Sequence, residues 1–214
     1  MTIHTVKFRH FFIFSFLILF GSQALASGYI NFLIEPNVGY QMSLSGEQAT
    51  QPDSTEHDYA GLTYGASIAM ATPSKSFGLG GEYLLGLIDL ESKTGGAAAN
   101  VDTANKVDGS IIILFNAGRF RIIPKYIFSS EMQFSSGANE DDKYSGKGFG
   151  MKLGVHVFKY MSVDISYNTL KYKEQYSATT ELTTSLEEVK LNEVMLVVAM
   201  PLYINMGFLK IFDF

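Results

Sequence analysis

The stretch Gly148-Phe149-Gly150-Met151-Lys152-Leu153-Gly154-Val155-His156-Val157 decides how the rest of the chain is read. Its odd positions are all large and apolar, and its even positions are glycine, lysine or histidine. Side chains leave an extended strand alternately to its two faces, so a period of two describes a strand with oil on one side and a polar setting on the other. A helix, with its period of 3.6, would scatter these residues around its whole circumference.

The same alternation recurs in both directions from that stretch. Toward the N-terminus, Phe120, Ile122, Tyr126 and Phe128 oppose Arg119, Arg121, Lys125, Ser129 and Glu131, so every charge of the segment shares one parity. Phe77, Leu79, Tyr83, Leu85 and Leu87 oppose Gly80, Glu82 and Gly86, while Val107, Ile111, Ile113 and Phe115 oppose Asp108, Ser110, Ile112, Leu114 and Asn116 less cleanly. The first two segments run from Ile30 to Leu44 and from Ala60 to Met70. Toward the C-terminus, Val163, Ile165 and Tyr167 oppose Asp164, Ser166 and Asn168. The last segment, Asn192 to Met200, is nearly all apolar. Its outward set is assigned as Val194, Leu196, Val198 and Met200, because the opposite choice drives Glu193 into lipid at a cost of about 2 kcal/mol or more. Pro124 falls on the outward parity and removes one ladder donor, which predicts a bulge or weakened pairing.

The connections add an independent signal. Gly46 to His57, Ser92 to Asn105, Ser135 to Ser145 and Gln175 to Glu187 are long and polar, whereas Pro73 to Ser76, Ala117-Gly118 and Lys159 to Met161 are brief. Long and short alternate strictly, which predicts eight antiparallel strands in an all-β, up-and-down transmembrane β-barrel with both termini at the tight-turn end. A soluble sandwich would instead carry charges along its solvent face.

At the N-terminus, Lys7, Arg9 and His10 precede an apolar run from Phe11 to Phe20 and the triplet Ala24-Leu25-Ala26. This is the pattern of a secretory signal peptide over residues 1–26. The run is too short for a transmembrane helix, which needs roughly 20 apolar residues. The chain has no Cys, which excludes disulfides, thiolate metal sites and a cysteine-linked lipid. Loss of Lys7 and Arg9 leaves 14 basic against 21 acidic residues, a balance that argues against nucleic acid as a partner. The remainder divides into a barrel over 27–203 and a segment over 204–214, read either as a tail or as the end of the last strand, since Pro201 interrupts that strand.

The N-terminal signal, eight alternating segments and long-short loop order resemble the small outer-membrane β-barrel family typified by the transmembrane domain of outer membrane protein A and by outer membrane protein X. Phe214, with Phe212 and Phe208, is similar to the aromatic-ended signal that the barrel-assembly machinery reads in that family. Absence of Trp is a departure from it, leaving Tyr and Phe to form the interfacial girdles. The resemblance implies a place in the outer membrane, with its lipid and lipopolysaccharide as surroundings and an unidentified partner for the outer loops.

In hydrocarbon every backbone donor and acceptor must be satisfied internally, and a closed barrel does so without an edge. The predicted lipid-facing set is Phe77, Leu79, Tyr83, Leu85, Phe120, Ile122, Tyr126, Phe128, Phe149, Met151, Leu153, Val155, Val163, Ile165 and Tyr167. Eight strands enclose a space that side chains just fill. The inward charges Glu35, Glu82, Arg121, Lys125, Glu131, Lys152, His156 and Asp164 are therefore expected to form a salt-bridge network that plugs the lumen.

Signs of chemistry are sparse. A tight hairpin near Tyr160 would set His156 beside Asp164, an arrangement that can orient a base but has no accompanying serine motif, so a lumenal ion pair is the expectation. His57 between Glu56 and Asp58, and the run Glu140-Asp141-Asp142, read as solvated loops without a metal. Gly78, Gly80 and Gly81 lie within a strand and do not make a phosphate loop. No catalytic residue or cofactor is expected. The functional expectation is a non-enzymatic barrel with a structural or loop-mediated role; the alternatives are a lipid-modifying barrel enzyme and a narrow channel for small solutes or ions.

Overall fold

A computed structural model describes residues 30–48, 56–94, 97–136, 142–177 and 182–205. The expected signal peptide, the aromatic residues Phe208, Phe212 and Phe214, and the loop acids Glu140 and Asp141 lie outside this set, as do the side chains of Glu56, His57 and Asp58. Nine strands appear among the described residues: β1 (Asn31–Gln48), β2 (Glu56–Ala71), β3 (Phe77–Thr94), β4 (Ala97–Ala117), β5 (Phe120–Phe134), β6 (Lys143–Phe158), β7 (Met161–Ser177), β8 (Leu182–Ala199) and β9 (Leu202–Asn205). Each of β1 to β8 pairs antiparallel with its sequence neighbours, and β1 also pairs with β8, which closes the sheet on itself. The fold is an all-β, eight-stranded antiparallel up-and-down barrel.

The short strand β9 is the continuation of β8. Ala199 faces Asn37 and Val197 faces Gly39 along β1; beyond Pro201, Leu202 faces Ile34 and Ile204 faces Phe32 in the same register. Proline lacks the ladder donor, so the pairing lapses for a step without changing the side on which side chains emerge. The bond from Met200 N to Pro36 O, at 2.9 Å, carries the chain across the gap. The barrel wall thus includes Ile204 and ends at Asn205 or later, past the expected boundary at 203.

Two of the segments read as long polar connections, Ser92 to Asn105 and Gln175 to Glu187, are largely strand among the described residues. β3 and β4 stay paired up to Thr94 and Ala97, and β7 and β8 up to Ser177 and Leu182. Strands of 15 to 21 residues exceed the 9–11 that cross a membrane, so the hairpins stand out beyond it as two-stranded ribbons. At the other end the turns are tight. Gly118 adopts a φ of 63° in the β4–β5 turn, a conformation open to glycine at no steric cost. The β2–β3 turn is held by Lys75 N donating to Thr72 O at 2.8 Å.

Pro124 weakens its ladder on one side only. Register between β4 and β5 pairs Ile112 with Lys125 and Phe115 with Ile122, passing over Ile123 and Pro124, while Pro124 keeps its place opposite Met151 on β6. The bulge itself comes four residues later. Ile127 faces Gly148 and Ser130 faces Gly146, so Phe128 and Ser129 together oppose one residue, Lys147. An extra residue reverses the parity of everything after it.

Candidate functional site

The wall has an inverted solvent preference. On β6, Phe149 is 69% exposed and Lys152 is 1% exposed, a contrast that assigns oil to the outside and charge to the inside. All fifteen residues of the predicted lipid-facing set lie on the outer wall, none of them buried. A water-soluble surface does not carry so continuous an apolar band. From Phe149 to Val157 the outward side chains of β6 are all apolar; eight steps of ~3.4 Å on a strand tilted ~40° give a band ~20 Å tall, close to the height of a barrel's lipid-facing belt. This is the architecture of an outer-membrane barrel: even-stranded, closed, tight-turned at one end and long-looped at the other.

Inside, three ion clusters cross the lumen. Arg121 on β5 grips Glu35 on β1 with two parallel bonds, Nη2 to Oε1 at 2.6 Å and Nη1 to Oε2 at 2.7 Å. Its Nη1 also donates to Ser162 Oγ at 2.9 Å, and its Nε lies 3.2 Å from Asp164 Oδ1. That last contact is charge-to-charge without hydrogen-bond geometry, and neither Asp164 oxygen has a hydrogen-bond partner. In the second cluster Glu82 on β3 takes Lys125 at 3.1 Å, Lys152 on β6, and the Ser67 hydroxyl at 3.1 Å. In the third, Lys106 on β4 binds Asp108 at 2.9 Å and Glu193 on β8; Asn168 Nδ2 donates to the same Glu193 at 3.0 Å.

These pairs join strands on opposite walls. β1 and β5, and likewise β4 and β8, are four strands apart in a ring of eight, so Arg121–Glu35 and Lys106–Glu193 run along diameters. Apolar layers flank them. Leu33, Ala69, Ile112, Leu114 and Ile123 pack together toward the tight turns, and Ile88, Ala104, Phe134, Leu170, Tyr172 and Leu191 toward the long loops. Ion pairs in such a setting persist only with charge and hydrogen bonds matched. Among the described residues the buried set holds six acids, Glu35, Glu82, Asp108, Asp142, Asp164 and Glu193, against four bases, Lys106, Arg121, Lys125 and Lys152.

Room for these chains comes from β6. A Cβ on Gly154 would lie 1.7 Å from Asp164 Oδ1, and one on Gly150 would lie 2.2 Å from Asn168 Oδ1 and 2.8 Å from Lys125 Cε. The alternating glycines of the opening stretch are therefore the space into which charged side chains of β5 and β7 extend.

Six of the eight residues expected in the lumen are buried there: Glu35, Glu82, Arg121, Lys125, Lys152 and Asp164. The other two are not buried there. Glu131 lies past the Phe128–Ser129 bulge, on the parity that now faces outward, and is exposed along an exterior groove with Gln133 and Lys143. His156 is only partly buried and does not meet Asp164 across the hairpin. A register shift between His156 and Phe158 sets His156 opposite Ser162 and Gly154 opposite Asp164. Ser162 is held by Arg121, so no relay of serine, histidine and acid is assembled. Lys106, Asp108 and Glu193 also belong to the network; all three stand on inward parity and are readable, whereas the Lys106–Glu193 contact exists only once the barrel closes. Among the described residues no group of three His, Cys, Asp or Glu is arranged to hold a metal ion.

No protein-family model and no curated protein matches the chain. Among solved structures it is similar to Ail, the attachment invasion locus protein of Yersinia pestis, at 12% identity and a TM-score of 0.47, over 80% of this chain and 98% of that one. It is also similar to Neisserial surface protein A, at 10% identity and a TM-score of 0.45, over 81% and 97% of the two chains. The outer membrane protein OprG from Pseudomonas aeruginosa is alike at 7% identity and a TM-score of 0.41, over 80% and 95%.

Proposed function

We propose that this protein is an integral outer-membrane barrel with a plugged lumen, serving the envelope as a structural element or through its long loops, without catalysis or conduction. The observation that carries the reading is the set of ion clusters spanning the lumen, with Glu35, Glu82, Lys152 and Glu193 at 4% exposure or less between two apolar layers. A conducting path needs hydrated, exchangeable polar groups along its length. Here the charges are spent on each other inside the barrel, two of the pairs along diameters.

The loop-mediated part of the reading rests on the β3–β4 and β7–β8 hairpins, whose ladders run on to Thr94 and Ala97 and to Ser177 and Leu182, past the apolar band. They carry the chain out on one side of the membrane, where a partner can approach. Lipid-modifying chemistry gains no support from His156, which faces Ser162 in a hairpin whose hydroxyl is already bound.

Purified, refolded protein in planar bilayers is expected to show no discrete conductance steps, and in detergent to release no acyl chain from phospholipid or lipid A. Stepwise conductance that disappears on replacing Glu82 or Lys106 would overturn the plugged-lumen reading. Acyl release would overturn the non-enzymatic one.

A further inference from the structure

On the outer wall, at the loop side of the apolar band, three lysines stand in one cross-strand row. Lys147 on β6 faces Lys171 on β7, and Lys171 faces Lys190 on β8; all three are exposed. One outward position below them come Phe149, Thr169 and Asn192, with Thr169 Oγ1 donating to Asn192 Oδ1 at 3.0 Å and Tyr167 OH to the same oxygen at 3.3 Å. Below these, the outward series on all three strands is apolar apart from the Tyr167 hydroxyl. The row therefore lies where hydrocarbon gives way to headgroups. Beside it runs a groove of about 650 Å³ lined by Tyr126 and Phe149, whose ring centroids are 5.0 Å apart, together with Lys147, Lys171, Lys173 and Glu174.

Cross-strand neighbours are ~5 Å apart, so Lys147 to Lys190 spans ~10 Å, and an anion with two charged groups can straddle the row. Each lysine near a surface adds attraction to an anionic lipid layer. The aromatic pair suits acyl chains leaving such a headgroup toward the bilayer.

We propose that Lys147, Lys171 and Lys190 form a binding site for the phosphorylated headgroup of an anionic lipid in the leaflet on the long-loop side, with the Tyr126–Phe149 groove taking its upper acyl chain. This deepens the membrane reading above and rests on it.

The test uses the full-length mature chain in detergent micelles, with bound lipid counted by native mass spectrometry. Diphosphorylated lipid A is expected to bind more tightly than its monophosphorylated form, and phosphatidylcholine weakly. The variant K147Q/K171Q/K190Q is expected to bind diphosphorylated lipid A about 100-fold more weakly, K147R/K171R/K190R to retain binding, and K159Q, at the opposite end, to match the parent. Heat-modifiable gel migration checks that each variant is folded. The proposal falls if the folded glutamine variant binds as the parent does, if phosphate number makes no difference, or if a soluble sulfated glycan binds at these lysines and the lipid does not. Failure of the parent to insert into lipid vesicles at all would instead overturn the membrane reading, so the two failures are distinguishable.

Discussion

Glu82 is bound by two lysines at once, and its loss strands both inside the barrel. Removing one partner from a buried ion cluster costs about 3–5 kcal/mol, because the desolvated charge that remains has nowhere to go. E82Q is therefore expected to lower the unfolding free energy of the refolded barrel by that amount, seen as a lower urea midpoint for loss of the fast-migrating folded band on unheated gels. A variant that removes the cluster together, E82L/K125M/K152M, is expected to recover most of the difference, since well-packed apolar side chains replace buried ions at little or no cost. Glycines offer a second residue-scale contrast. G154A places a methyl group against the Asp164 carboxylate, and overpacking of this kind costs about 1–3 kcal/mol. G81A faces outward, where the nearest atom to the new Cβ is Ser110 O at 3.5 Å, and is expected to leave stability within the error of the same gel assay.

At the level of the strand, the bulge at Phe128–Ser129 decides which half of β5 faces which solvent. Met132 and Phe134 are buried and Glu131 is exposed only because two residues there oppose one. The chain has no native cysteine, so a single E131C substitution is expected to react with a membrane-impermeant maleimide, and M132C to be protected. Deleting Ser129 is expected to exchange those two results. This element also marks where reading by parity stops. Alternation from Gly148 to Val157 of β6 was legible because glycine, lysine and histidine there never share a parity with Phe149, Met151 or Leu153. Nothing of that kind flags Phe128-Ser129: no glycine or proline punctuates it, and a serine at a bulge looks like a serine in a strand. The register at the β6–β7 turn was equally hidden. Whether His156 meets Asp164 or Ser162 depends on one irregular step at Phe158, which turn residues alone do not determine. The extended hairpins escaped notice for another reason. Once strands leave the hydrocarbon both faces are wet, the apolar period vanishes, and a ribbon reads like a loop.

For the whole molecule, a closed barrel asks two things of its solvent faces, and each can be challenged separately. L153R puts a guanidinium in the middle of the apolar band and is expected to weaken folding into phosphatidylcholine vesicles by about 2–4 kcal/mol. F149R, near the upper edge, is expected to cost about 0–1 kcal/mol. A protein whose apolar wall was buried against another domain would not grade its response by depth in this way. The lumen was legible in kind, since the inward parity carried both signs of charge; which acid meets which base was not, because partners four strands apart become neighbours only on closure.

The first and last strands meet at a join where two prolines, Pro36 and Pro201, fall within a residue of facing each other, and only the Met200–Pro36 bond spans the lapse. A zip with a missing tooth parts there first. Amide hydrogens of Leu33 to Glu35 are expected to exchange with deuterium sooner than those of Ile165 to Asn168 on the unbroken β7–β8 ladder, and any sideways breathing of the cylinder into the surrounding bilayer would start at this join.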